Sequence, residues 1–234
     1  MTERESILTR IREALAIKSP LPGHAEDAHA SSLFPLPSPL SPHPSSPRRL
    51  LPAVGDSFED RLALFSKNAA DLKADFHFLS TRQELLQKLV ELRDREKWKE
   101  IGCHTGELTD AACNALGLPI CRTDKQYNVA DLESCDAGIT ECDALVAQTG
   151  SVLVTGKSAG GRALSVLPPH HVVLARREQL LSDPPEAFAA LKRKYEPDYP
   201  SFISLITGPS RTGDIERILV LGAHGPKKLT ILCV

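Results

Sequence analysis

The sequence predicts an α/β protein in which a mostly parallel sheet is flanked by helices. Apolar runs at 171–176 ("HVVLAR"), 202–207 ("FISLIT") and 228–234 ("KLTILCV") are nearly uninterrupted, as strands covered on both faces require. Amphipathic stretches alternate with them, which is the pattern of strand–helix–strand units in a parallel sheet. Glycines close two of the helical stretches, at Gly117 and Gly222, where a left-handed residue ends a helix without Cβ strain.

Taken in order, Ile7, Leu8, Ile11 and Leu15 fall on one face at helical spacing, so 1–18 is expected to be an amphipathic helix. Residues 19–52 hold nine of the 18 prolines. Proline at that density removes amide donors and fixes φ, so 19–56 reads as a Pro/Ser-rich linker without packed elements. The α/β domain is expected over 57–234. It opens on an amphipathic helix carrying Phe58, Leu62, Phe65 and Ala69, followed by a short strand at 76–80. Thr81-Arg-Gln-Glu84 has capping-box spacing, in which hydroxyl and carboxylate satisfy orphan amides, and it starts a helix running to Lys97. Residues 98–103 lead into a short strand, 107–116 form a helix, and 118–121 form another short strand. Two apolar runs flank Gln148-Thr149-Gly150-Ser151, which predicts a hairpin over 143–154, with one bent strand as the alternative. Helices are expected over 177–194 and 212–221.

With 234 residues, 41% of them hydrophobic, the chain can bury one sizeable core plus appendages. A formal charge of −2 leaves no basic field, so nucleic acid is not an expected partner. No apolar run approaches the ~20 residues that span a bilayer. The charged N-terminus lacks the apolar core of a signal peptide, so the cytoplasm is the expected location. Six cysteines include no Cys-x-x-Cys pair, and several sit in apolar, strand-like surroundings. They read as buried reduced thiols, because clusters need closely spaced thiolates. No G-x-G-x-x-G, haem or cluster motif occurs, so no cofactor is expected in this chain. A redox role would need a partner to carry the electrons.

The chemistry-bearing residues concentrate in two loops. The loop at 208–213 (Gly-Pro-Ser-Arg-Thr-Gly) is expected to leave the carboxyl end of a strand, where α/β sheets hold ligands. Gly208 permits close backbone approach, and Ser210 or Thr212 can cap the next helix. Arg211 presents a planar fork of donors suited to a carboxylate or phosphate. Asp214 and Glu216 satisfy the dipole of that helix themselves, so an anion would lean on Arg211 and the loop amides. His224, at the far end of the same helix and the opposite edge of the sheet, reads as structural. In the Gly-rich segment 156–171, Lys157 and Arg162 are candidate anion clamps. His170 is a candidate acid/base, its pKa lying naturally near neutrality. Alternation along the strand lets only one of His170 and His171 face a given side. Neither has a carboxylate or cysteine at zinc-ligand spacing, so no metal site is expected.

The segments "AQTGSVLV", "GRALSVLPPHHVVL", "ITGPSRTGDIE" and "LGAHGPKKLTILCV" resemble the lactate-utilisation protein C family (LutC/YkgG-like, the LUD domain). The helix "ILTRIREAL" ahead of a variable linker is also similar to members of that family. The resemblance implies a fold of the NagB/RpiA/CoA-transferase-like group. It implies a role in oxidising L-lactate to pyruvate beside partner subunits, at least one of which carries iron–sulfur clusters; a homo-oligomer is compatible with it. It also adds Gln148 and Thr149 to the expected ligand contacts. Relatives often carry Glu at the Gln148 position; Gln cannot titrate, but it can still hydrogen-bond a ligand. The competing expectation from the same fold is a stand-alone enzyme or binding module for small anionic, CoA-type or folate-type ligands.

Overall fold

The computed structural model describes Thr9 and residues 51–212, 220–221 and 225–234. The helix expected over 1–18 and most of the linker, Thr9 apart, lie outside the described residues, as does His224. The chain divides into two units, Met1–Arg48 and Arg49–Val234, and the second carries the sheets.

Helix α1 (Phe58–Asp71) starts where the Ser57 hydroxyl accepts the Asp60 amide, and it buries Phe65 and Ala69 as their spacing requires. Strand β1 (Asp75–Phe78) follows. Helix α2 (Arg82–Glu96) is reciprocally capped: Thr81 Oγ1 accepts the Glu84 amide at 3.2 Å, and the Glu84 carboxylate accepts the Ser80 amide at 2.8 Å. Its buried face is Leu85, Leu89 and Leu92. Strand β2 (Ile101–Cys103), helix α3 (Glu107–Leu116, closed by Gly117 at φ 62°) and strand β3 (Ile120–Arg122) fall where the sequence placed them. Helix α4 (Val129–Ser134) and strand β4 (Ala137–Glu141) complete this half. Strands β5 (Ala144–Val146) and β6 (Ser151–Thr155) pair antiparallel, so the hairpin forms and the bent-strand alternative does not. The rest comprises β7 (His170–Ala175), β8 (Leu180–Leu181), α5 (Pro184–Tyr195), β9 (Ile203–Ile206), β10 (Arg211–Thr212), β11 (Val220–Leu221) and β12 (Lys228–Cys233).

A six-stranded sheet runs in the order β1-β12-β7-β4-β2-β3 with every pair parallel, and helices α2 and α3 cover one face. Alternation sorts the central strands: Val172, Leu174 and Leu232 pack against those helices, while Val173, Ala175, Leu229 and Ile231 face the other way. There they meet α1 and a second sheet, β8-β5-β6-β9, whose far face carries α5 through Ala187 and Leu191. Each fully buried Leu, Ile or Phe in these layers contributes about 1.5–3 kcal/mol of transfer free energy. Among the described residues, no helix is long and apolar enough to cross a membrane.

Three expectations need correction. The stretch 177–194 is not one helix: Arg177–Gln179 make a short 3₁₀ turn, β8 pairs with β5, and α5 begins at Pro184. Pro184 and Pro185 fit only a first turn, and Asp183 caps it by accepting the Glu186 amide at 2.9 Å. The run at 202–207 supplies β9, which pairs antiparallel with β6 in the second sheet rather than joining the parallel one. The expected helix over 212–221 is strand at both ends, since Arg211 pairs with Leu221 and Thr212 with Val220. The β-branched Thr212 and Val220 suit a paired extended backbone; residues 213–219 lie outside the described residues.

Candidate functional site

Three sequence segments far apart in the chain meet at one cavity of about 250 Å³. Ser165 and Val166 come from the Gly-rich segment, Ile206 to Ser210 from the loop after β9, and Gly225 and Pro226 from the approach to β12. His171 and Leu229, register partners on β7 and β12, form its floor.

Small residues set this geometry. Gly138 on β4 is the register partner of His171, and a Cβ there would stand 2.4 Å from the Leu164 carbonyl oxygen. The chain at 164–165 can therefore lie directly on the sheet and bring Ser165 beside His171. On the opposite wall, the Ser210 amide donates to the Pro226 carbonyl at 2.9 Å, fastening the two loops together. Gly208 is left-handed (φ 86°), and a Cβ there would stand 2.7 Å from the Leu72 carbonyl oxygen. The hydroxyls of Ser151 and Thr207 meet at 2.8 Å, which ties this wall to the β5–β6 hairpin.

The cavity lies at the amino ends of β7 and β12, not at the carboxyl edge where the sequence placed the ligand crevice. The carboxyl edge of β4 is filled by the protein itself. Glu141 Oε1 accepts the Leu108 amide at the start of α3, Oε2 accepts from Arg176 at 3.1 Å, and the Glu141 amide donates to His104 Nε2. A carboxylate of the chain thus stands where an anionic ligand would meet the helix N-terminus.

Electrostatics separate the two adjacent histidines. His171 is 1% exposed; its Nε2 lies 2.9 Å from Thr140 Oγ1, and its Nδ1 has no hydrogen-bond partner. Burial lowers its pKa to about 3, so the ring is neutral at neutral pH. His170 faces the helical side, where Nε2 meets Thr230 Oγ1 at 2.9 Å and the ring packs edge-on against Trp98. Burial lowers its pKa to about 4. It borders a separate, smaller cavity with Glu96, Asp136 and Lys228. A group held neutral at this depth is a poor proton carrier near pH 7.

The other expected contacts divide. Gly208 and Ser210 line the cavity over His171, whereas Arg211 does not, although its exposed guanidinium lies against Gly208. Thr212 lies in β10, paired with Val220. Gln148 and Thr149 form the hairpin turn, where Asn68 Nδ2 donates to the Ala147 and Gln148 carbonyls and Gln148 Nε2 donates to the Pro52 carbonyl. Arg162 lies over the Phe202 ring at 5.3 Å, and Lys157 pairs with Asp198 at 2.6 Å. The sequence signal for Ser165 and His171 was present in "GRALSVLPPHH", but only strand alternation against Gly138 decides which histidine faces the cavity. The expected separation of His224 from Arg211 falls on residues outside those described, while the next residue, Gly225, lies against Ser210. Among the described residues, no three of His, Cys, Asp and Glu gather where they could hold a metal ion.

A parallel six-stranded sheet backed by a second sheet, with loops meeting around a cavity over its amino edge, defines an α/β domain of two sheets. The LUD domain model matches residues 62–234, and the chain belongs to that family. It is 31% identical over 123 residues to a lactate utilization protein C of Deinococcus radiodurans, a match covering 51% of this chain and 56% of that protein. It is 34% identical over 109 residues to a lactate utilization protein C of a Geobacillus species, covering 46% and 45%. The chain thus spans about half the length of the curated relatives it matches. A crystal structure of a DUF162 family protein from Deinococcus radiodurans shares the fold, with a TM-score of 0.59 at 20% identity over 76% of this chain and 98% of that one.

Proposed function

We propose that this chain is the component of an L-lactate-oxidising system that holds the small acid, acting with iron–sulfur partner proteins. The observation that carries this reading is the convergence of the three signature segments on one cavity of about 250 Å³. Pockets for drug-sized ligands run to roughly 300–1,000 Å³, so this volume favours a molecule of a few heavy atoms over a CoA or folate. Relatives named for lactate utilisation supply the candidate acid. Oxidation of lactate to pyruvate releases two electrons and two protons, and this sequence carries no motif for a redox carrier. The electrons would then pass to clusters in the partners, with the exposed Arg211 beside the lining residue Gly208 attracting the carboxylate.

Lactate-dependent dye reduction tests the reading. The isolated chain is expected to be inactive, and activity is expected only when iron–sulfur partners are added. Arg211→Ala is expected to raise the lactate concentration required for half-maximal rate. Reduction by the isolated chain would overturn the subunit reading in favour of a stand-alone enzyme.

A further inference from the structure

Among the described residues, His171 is a buried titratable side chain that lines the cavity of about 250 Å³ and leaves one ring nitrogen without a partner. The ring cannot turn freely: Thr140 Oγ1 holds Nε2 at 2.9 Å, and Gly138, its register partner, brings Leu164 down alongside. A buried polar nitrogen left without a partner is destabilising. Native folds keep such a group where something else completes it. The remaining lining is largely apolar, with Val166, Ile206, Pro209, Pro226 and Leu229 around it. Such walls suit a short carbon body and leave the imidazole as a specific polar contact deep in the site.

We propose that His171 is the specificity-determining contact of this cavity, its Nδ1 hydrogen-bonding the 2-hydroxyl or 2-keto oxygen of a short carboxylic acid. The inference rests on the reading of the cavity as the small-acid site and adds the group that reads the oxygen next to the carboxylate. A neutral imidazole suits this task, because the group it meets is uncharged; the carboxylate is left to the exposed Arg211, which lies against the lining residue Gly208. With Thr140 fixing one nitrogen, the other can serve as donor to a ketone or acceptor from a hydroxyl, depending on the tautomer. The same residue can thus hold substrate and product of an alcohol-to-ketone oxidation. His170, on the opposite face of the sheet, cannot make this contact.

Calorimetric titration of the full chain with L-lactate, pyruvate and propionate tests the assignment, since propionate has the same carboxylate but no 2-oxygen. The wild type is expected to bind lactate and pyruvate about tenfold more tightly than propionate, the worth of one well-formed hydrogen bond. His171→Gln keeps a polar atom near the Nε2 position but not at Nδ1, and it is expected to abolish the discrimination. His171→Asn places an amide near Nδ1 and is expected to restore part of it. If His171→Gln still prefers lactate over propionate, the contact is overturned while the small-acid site stands. If the wild type binds none of the three acids, both the site and the contact are overturned. Should the variants fail to fold, ¹⁵N resonances of the wild-type histidines decide. The Nδ1 signal of His171 is expected to move on adding L-lactate, and a static signal while the Leu229 methyls respond would overturn the contact.

Discussion

Oε1 of Glu141, at the end of β4, accepts the backbone amide of Leu108 at 2.8 Å and so caps helix α3 from another strand. The N-cap residue Gly106 supplies no side-chain bond, and a Cβ there would stand 2.5 Å from that same carboxylate oxygen. The usual remedy for an uncapped helix should therefore fail here. Gly106→Ser is expected to destabilise the fold, and Glu141→Ala to cost roughly 1–3 kcal/mol by orphaning the Leu108 amide and removing one of the two carboxylates that hold Arg176. Urea denaturation midpoints check both; a stabilised Gly106→Ser protein would contradict the cross-strand cap.

Gly208 carries the wall of the cavity in a left-handed conformation, with the Leu72 carbonyl and the Arg211 guanidinium against its Cα. Gly208→Ala is expected to cost about 1–3 kcal/mol. At roughly 2–4 °C per kcal/mol for a domain of this size, the loss should be visible in a thermal melt. An unchanged melting temperature would mean that the loop can move off α1.

Acid should weaken the fold before most carboxylates titrate. Burial holds His170 at about 4 and His171 at about 3, against 6.5 in the unfolded chain. Between those values and 6.5 the unfolded chain binds protons that the folded chain does not. Stability is thus full above pH 6.5 and falls as the pH drops, by at most ~1.4 kcal/mol per unit for each histidine. Denaturation at pH 7.0 and 4.5 checks this, and the double substitution His170→Gln, His171→Gln is expected to flatten the slope. Equal midpoints for the wild type at both pH values would show that these imidazoles are solvated.

Thiol chemistry offers an independent check of the core. Five of the six cysteines are buried, and only Cys121 is half-exposed. Burial pushes Cys135 and Cys233 to about 12 and raises Cys142 well above its ordinary value. A thiol reagent at pH 8 is expected to modify Cys121 first and the others only on unfolding. Rapid reaction of Cys103 or Cys233 in the folded protein would contradict the packing of the parallel sheet.

The sequence alone determined most of the element order. Capping at Thr81, the stop at Gly117 and the hairpin around Gly150 are local, and each was readable because a few neighbouring residues decide it. Apolar continuity announced β7 and β12 for the same reason. Tertiary structure decided the rest. β4 is central in the sheet, yet Ala-Gly-Ile-Thr-Glu carries little apolar bulk, because Gly138 must admit the Leu164 backbone. β9 has the composition of a parallel-sheet strand, but it pairs with β6, so its loop opens over the amino edge of the parallel sheet. Which of two adjacent histidines meets the cavity depends on register against β4 and β12. Local pattern fixes conformation within a few residues, whereas pairing and facing are set by contacts between segments distant in the chain.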